Sequence, residues 1–193
     1  SFFREPHHFE FLEQKLLPIM KRNHTEDHRV RVWSAGCSTG MEPYSIAMTL
    51  HNKFPNHWDF KILATDLDTS VLATAKAGVY EAQSITGIDN GRLQSFFKLD
   101  PTGQKYKVKD KIKNLITFKQ LNLLEGWPMK GPFDVIFCRN VVIYFDLATK
   151  NKLFERFSEL LRPNGYLILG HSETMSREVK AYTPLGSTIY KKN

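Results

Sequence analysis

The stretch Ser34-Ala35-Gly36-Cys37-Ser38-Thr39-Gly40-Met41-Glu42-Pro43 follows an apolar run and leads into a helical pattern, the setting of a ligand-binding turn. Its chemistry differs from that of a phosphate loop. A pyrophosphate site presents three glycines and bare backbone N–H groups at a helix N-terminus. Here only Gly36 and Gly40 are present, and the carboxylate of Glu42 stands at the helix mouth. Two anions at that distance repel, and the helix dipole favours only one of them. A ligand with cationic centres and no phosphate is favoured instead.

S-adenosylmethionine, with its sulfonium and ammonium, meets that description. Gly36 and Gly40 would let the backbone approach it, and Glu42 would meet its positive charge. Asp66 ends the next apolar run, where a carboxylate accepts two hydrogen bonds from the vicinal hydroxyls of a ribose. Dinucleotide folds share that feature, so Asp66 does not discriminate between the two ligands. Each carboxylate also has a plainer reading: Glu42 as a helix-terminus charge, Asp66 as a strand-end cap.

The elements that must position these groups are legible from periodicity. Phe9, Leu12, Leu16, Leu17 and Met20 form one helical face, as do Ile46, Ala47, Leu50 and Phe54 after Pro43, which sits where a first helical residue belongs. Thr69 or Ser70 can cap a helix that Gly78 stops, and Asp146 caps another running to about Leu161. Apolar runs at 30–35, 60–64, 116–121, 133–138 and 166–169 read as strands, and 188–190 as an edge strand. Strands alternating with helices predict an α/β fold, an open and mostly parallel Rossmann-like sheet covered on both faces. Gly36, Asp66, Asn122 and Asn140 all follow strands and should converge on one rim, where such sheets bind ligands.

The bulk properties agree with one domain over 1–193 and one sizeable core: 193 residues, 41% hydrophobic. There is no membrane-length apolar run and no signal peptide. Cys37 and Cys138 end apolar runs and read as buried thiols of a cytoplasmic protein. The seven histidines show no metal-ligand spacing, so no metal is expected, and the His7-His8 pair reads as helix surface. The charge of +7 and the pI near 9.4 point to an anionic partner, nucleic acid or acidic protein.

The motifs SFFRE, RVWSAGCSTGMEPYSIA, ATDLDTSVL, NLLE (122–125), FDVIFCRNVVIYFD and GHSE together resemble the CheR family of chemotaxis-receptor methyltransferases. The resemblance runs along essentially the whole chain. It implies a class I AdoMet-dependent methyltransferase sheet with a small inserted antiparallel β-subdomain, here at approximately 98–115. It also implies a catalytic domain without the family's N-terminal helical domain. The implied cofactor is S-adenosyl-L-methionine and the product S-adenosyl-L-homocysteine. By the same resemblance Arg4 lies beside the transferable methyl, and Glu42 binds the methionyl end. Asp66 binds the ribose, Asn122 and Leu123 flank the adenine, Asn140 and Val141 form the cofactor's floor, and Tyr144 lines the methyl path. The implied reaction esterifies glutamate side chains in the cytoplasmic domain of methyl-accepting chemotaxis receptors. A receptor C-terminal peptide docks on the β-subdomain in some members.

That substrate explains why the motifs carry no general base. A glutamate side chain, with a pKa of about 4.3, is already the nucleophile near neutral pH. His171 in GHSE reads as a structural hydrogen-bonder. Lys105, Lys107, Lys109, Lys111 and Lys113 alternate with period two, predicting a strand with five lysines on one face, either edge protection or a docking edge. A non-catalytic AdoMet-binding module is the alternative function. A nucleic-acid methyltransferase ranks below it, because Tyr106 is the only aromatic residue in the lysine run.

Overall fold

Mostly apolar runs form a seven-stranded sheet in the computed structural model, which describes residues 1–193. The strands are β1 (Arg29–Ala35), β2 (Asp59–Asp66), β6 (Ile116–Gln120), β7 (Phe133–Cys138), β8 (Leu161–Leu169), β9 (Tyr182–Gly186) and β10 (Ile189–Lys192), in the order β6-β2-β1-β7-β8-β10-β9. The pairs from β6 to β8 are parallel, and β10 runs antiparallel to both neighbours. The predicted edge strand near 188–190 is therefore interior. The true edge is β9, whose Thr183–Gly186 face is exposed and carries no strong hydrophobic pattern.

Buried residues pack on both faces, as a parallel sheet requires. On one side lie α1 (Pro6–Phe11), a π-helical turn (Leu12–Leu16), α2 (Leu17–Asn23), α3 (Met41–Leu50) and α4 (Thr69–Ala77). On the other, α7 (Leu147–Leu160) buries Leu153, Phe154 and Phe157 against Trp33 and Phe133. Asp146 accepts from Thr149 N at 2.7 Å and caps α7 as expected. For α4 the cap is Asp68, which accepts from Ser70 N at 2.7 Å; Thr69 and Ser70 are already helical. Pro43 is the third residue of α3, because Gly40 serves as its N-cap. No helix is long and apolar enough to cross a membrane.

A three-stranded antiparallel sheet, order β3-β5-β4, joins β3 (Val79–Glu81), β4 (Phe97–Leu99) and β5 (Lys105–Val108). The short helix α5 (Asn90–Phe96) precedes β4. The lysine run differs from expectation. It is strand only to Val108, then turns into α6 (Asp110–Lys113), and β5 is the central strand with no free edge. Two of its lysines close helix ends instead: Lys109 Nζ donates to Gln94 O at 2.7 Å, and Lys113 Nζ to Ala77 O at 3.0 Å. A lysine at a helix C-terminus satisfies orphan carbonyls and complements the dipole. That local demand overrides the period-two pattern.

Candidate functional site

The chain runs outward from β1 to β2 and β6, then crosses back to β7 and β8. The switch point lies between β1 and β7, where ligands bind in open α/β sheets. Their register, Ser34 opposite Phe137, brings the residues after both strands together. Gly36 has φ 81°, and a Cβ there would meet Val141 Cγ2 at 2.3 Å, so only glycine fits. The turn is fastened by Gly36 N and Cys37 N, which both donate to Thr65 O at 2.8 Å.

Sequence reasoning missed the residue that shapes the opposite loop. The carboxylate of Glu173, only 1% exposed, accepts four backbone N–H bonds, from Asn140 (2.8 Å), Val141 (2.8 Å), Val142 (2.9 Å) and Gly170 (2.8 Å). This arrangement holds Asn140 in the left-handed conformation, φ 59°. The signal available was an acidic residue just past an apolar strand, in GHSE.

A cavity of about 300 Å³ opens beside this turn, lined among others by Arg4, Gly36, Glu42, Arg139 and Asn140. Glu42 accepts from Ser34 Oγ at 2.7 Å, and its other oxygen lies 3.6 Å from Arg139 Nε. Burial pushes its carboxyl pKa up, and Arg139 and the Ser34 hydroxyl pull it part of the way back. The lining is therefore zwitterionic and not simply acidic, which corrects the expectation drawn from Glu42 alone. Arg139, 6% exposed, is a second residue the motifs did not single out. Its Nη2 donates to Arg4 O, its guanidinium lies 3.8 Å from Glu5, and its buried Nε has no hydrogen-bond partner.

Arg139 thereby holds a turn in which Phe3 (φ 50°) and Glu5 (φ 58°) are both left-handed, presenting the exposed Arg4 to the cavity. His8 is fully buried and not surface as expected; its Nε2–H donates to Ser187 O at 2.9 Å. Burial brings the His8 pKa down to about 4, so the ring is uncharged near neutrality. His171 is exposed and lies 3.3 Å from Glu5.

A second cavity, about 460 Å³, shares Gly36, Ser38 and Asn140 with the first and continues the cleft. Asp66, Asn122, Leu123, Val141 and Tyr144 line it, with Leu67, Leu121, Leu124 and Phe145. The Asp66 oxygens accept from Ser38 N (2.7 Å) and Asp68 N (3.0 Å), which orients the carboxylate and leaves each oxygen a further lone pair. Asn122 Oδ1 accepts from Leu124 N at 3.0 Å, and Arg156, stacked on Trp127, donates to Leu123 O at 2.8 Å. Tyr144 is 86% exposed and borders this second cavity, so the structure does not bring it into one cavity with Arg4.

Residues 1–191 match the family described as CheR methyltransferase, SAM binding domain. The chain belongs to this family. It is 48% identical over 195 residues to a probable chemotaxis protein methyltransferase of Rhizobium etli, covering 98% of this chain and 73% of that one. Against the chemotaxis protein methyltransferase of Escherichia coli identity is 41% over 196 residues, covering 98% of this chain and 65% of that protein. The chain thus spans about two thirds of the length of such relatives. Among solved structures, the DszA carbon methyltransferase superposes with TM-score 0.53 at 17% identity, covering 85% of this chain and 35% of that one, a likeness of fold.

S-adenosylmethionine is the cofactor of this CheR domain, and the cleft fits it in two halves. The first cavity is lined by a carboxylate and a guanidinium, opposite in charge to the ammonium and the carboxylate of an amino acid. The second offers a hydroxyl-accepting carboxylate and an apolar wall to a nucleoside.

Proposed function

We propose that this chain is the catalytic domain of a cytoplasmic protein-glutamate O-methyltransferase acting on chemotaxis receptors. Support begins with the relatives, which bear the name chemotaxis protein methyltransferase. The observation that carries the reading furthest is the set of titratable side chains lining the cleft: Arg4, Cys37, Glu42, Asp66, Arg139 and Tyr144. Burial pushes the Cys37 thiol up to about 12, Glu42 and Asp66 turn their remaining acceptor capacity to the cofactor in this reading, and the arginines are permanently charged. Tyr144 stands at the solvent edge. A cleft so furnished suits an acceptor that arrives already deprotonated, and a carboxylate does.

When bound, the cofactor supplies an electrophilic methyl on a sulfonium. The chain's own residues position the partners. Glu42 and Arg139 hold the amino-acid end, Asp66 the ribose, and Asn122 and Leu123 the base, while Asn140 and Val141 form the floor. Arg4, free of ion-pair partners, steers the acceptor carboxylate inward, and Tyr144 orients it at the mouth. Alignment of this kind lowers a displacement barrier by roughly 7–11 kcal/mol when geometry is good. The free edges of the small sheet, β3 and β4, offer a receptor C-terminal peptide a place to add as a strand.

The test is incubation with methyl-labelled S-adenosylmethionine and a receptor cytoplasmic fragment, followed by alkali. Methyl esters release labelled methanol and N-methyl groups do not. Cofactor binding without base-labile label identifies a non-catalytic module, and label in added RNA identifies a nucleic-acid enzyme.

A further inference from the structure

Glu5, His7 and His8 bring a carboxylate oxygen and two imidazole nitrogens within 4.8 Å of one another. Two of these atoms are buried and have no hydrogen-bond partner: Glu5 Oε2 and His8 Nδ1, which face each other at 3.3 Å. The tautomer follows from geometry. A carbonyl only accepts, so the Ser187 O contact places the His8 proton on Nε2 and leaves Nδ1 a bare lone pair. That lone pair points at a carboxylate oxygen, an arrangement that is repulsive unless something positive lies between them.

We propose that Glu5, His7 and His8 bind a divalent first-row transition ion of the zinc type. Two imidazoles and a carboxylate form a suitable donor set, with one position left for water. Tetrahedral zinc with ligands at about 2.0–2.1 Å requires ligand atoms about 3.3–3.4 Å apart, the separation of Glu5 Oε2 and His8 Nδ1. Both buried ligands are oriented as ion ligands are. His8 donates its far N–H to a backbone carbonyl, and Glu5 turns its other oxygen toward Arg139 (3.8 Å) and His171 (3.3 Å). The exposed His7 ring, 4.1 Å from that of His8, closes the set from solvent and gives the ion a route in. An ion there pins the left-handed turn that carries Arg4, so occupancy acts on the mouth of the cleft without entering it.

The test is titration of the purified, tag-free chain with zinc by competition against a chromophoric chelator, repeated with cobalt to read the visible spectrum of a tetrahedral site. The expected result is one equivalent bound by the native chain, with His7→Ala and Glu5→Gln each weakening it by about tenfold or more. His7 is exposed, so its loss leaves the fold intact, which circular dichroism verifies. His28 and His57, whose rings lie 4.7 Å apart, provide the control. Binding that survives both variants, binding that falls instead in His28→Ala, or no saturable binding overturns the proposal.

Discussion

The two rims of the main sheet each gather a histidine, carboxylates and an arginine, and they use them oppositely. At the N-terminal rim, buried His24 bridges Asp27 (Nδ1, 2.6 Å) and Asp134 (Nε2, 2.5 Å). Asp134 also accepts from Arg31 N at 2.8 Å, and Arg162 lies within 3.4 Å of both carboxylates. Its one buried atom without a hydrogen-bond partner, Arg162 Nε, still faces Asp134 at 3.4 Å, and the cluster ties α2 to β7 and β8. At the C-terminal rim, Glu5 Oε2, His8 Nδ1 and Arg139 Nε are buried without partners. Polar groups left open in this way are costly unless a ligand completes them. What sets the second rim apart is a bare carboxylate oxygen facing a bare imidazole nitrogen, Glu5 Oε2 and His8 Nδ1 at 3.3 Å.

Breaking the His24 cluster should cost the most stability. His24→Ala leaves Asp134 buried with less compensation, a loss of about 3–5 kcal/mol, which lowers the midpoint by about 6–20 °C for a domain of this size. Cofactor affinity of the folded variant should stay within about twofold of native; a larger change by titration calorimetry would show that the rims are coupled. Glu173→Gln comes next, since it replaces an acceptor of four N–H groups with an amide that presents a donor. A loss of about 2–3 kcal/mol should accompany a drop in affinity of at least about tenfold, if Asn140 and Val141, which line the cleft, form the proposed floor. Asp66→Ala should weaken cofactor binding by about tenfold or more, the worth of at least one charged hydrogen bond, with little change in melting temperature.

The rims should also differ in the sign of their pH dependence. Burial alone would raise the Asp27 pKa, but hydrogen bonds from His24 and the Arg29 N–H, with the charges of His24 and Arg162, hold it below the usual 3.8. A depressed carboxylate contributes stability above its unfolded pKa and loses it as pH falls through the folded value. Glu42 is raised above 4.5, mainly by burial, so the native state holds its proton longer than the unfolded chain. Its contribution therefore declines as pH rises from 4.5 through the raised value. Glu42→Gln mimics the protonated carboxyl, so its melting temperature should lie closest to the native one below pH 4.5 and gain on it as pH rises through that window. Cofactor affinity should climb over the same window as the carboxylate ionises to meet an ammonium. The smallest effect is that of Tyr144→Phe, expected to lower turnover only a few-fold, about 1 kcal/mol, while leaving cofactor affinity unchanged.

The sequence by itself determined the architecture and the neighbourhood of the cleft. Strand and helix periodicities are local, and the residues that follow β1, β2, β6 and β7 must converge on one rim because crossovers in such sheets share a hand. Gly36 was legible for the same reason: a tight turn after a buried strand demands it. What only the tertiary structure decided was partnership. The lysine run reads as a strand until the carbonyls at the ends of α4 and α5 claim Lys113 and Lys109. Glu42 reads as a lone anion until Arg139 arrives from β7, and Glu173 reads as nothing until four N–H groups from distant residues close on it. Hydrogen bonds and charge pairs between residues far apart in the chain leave no periodic trace, so the balance of charge in this cleft appears only once the strands have set their ends side by side.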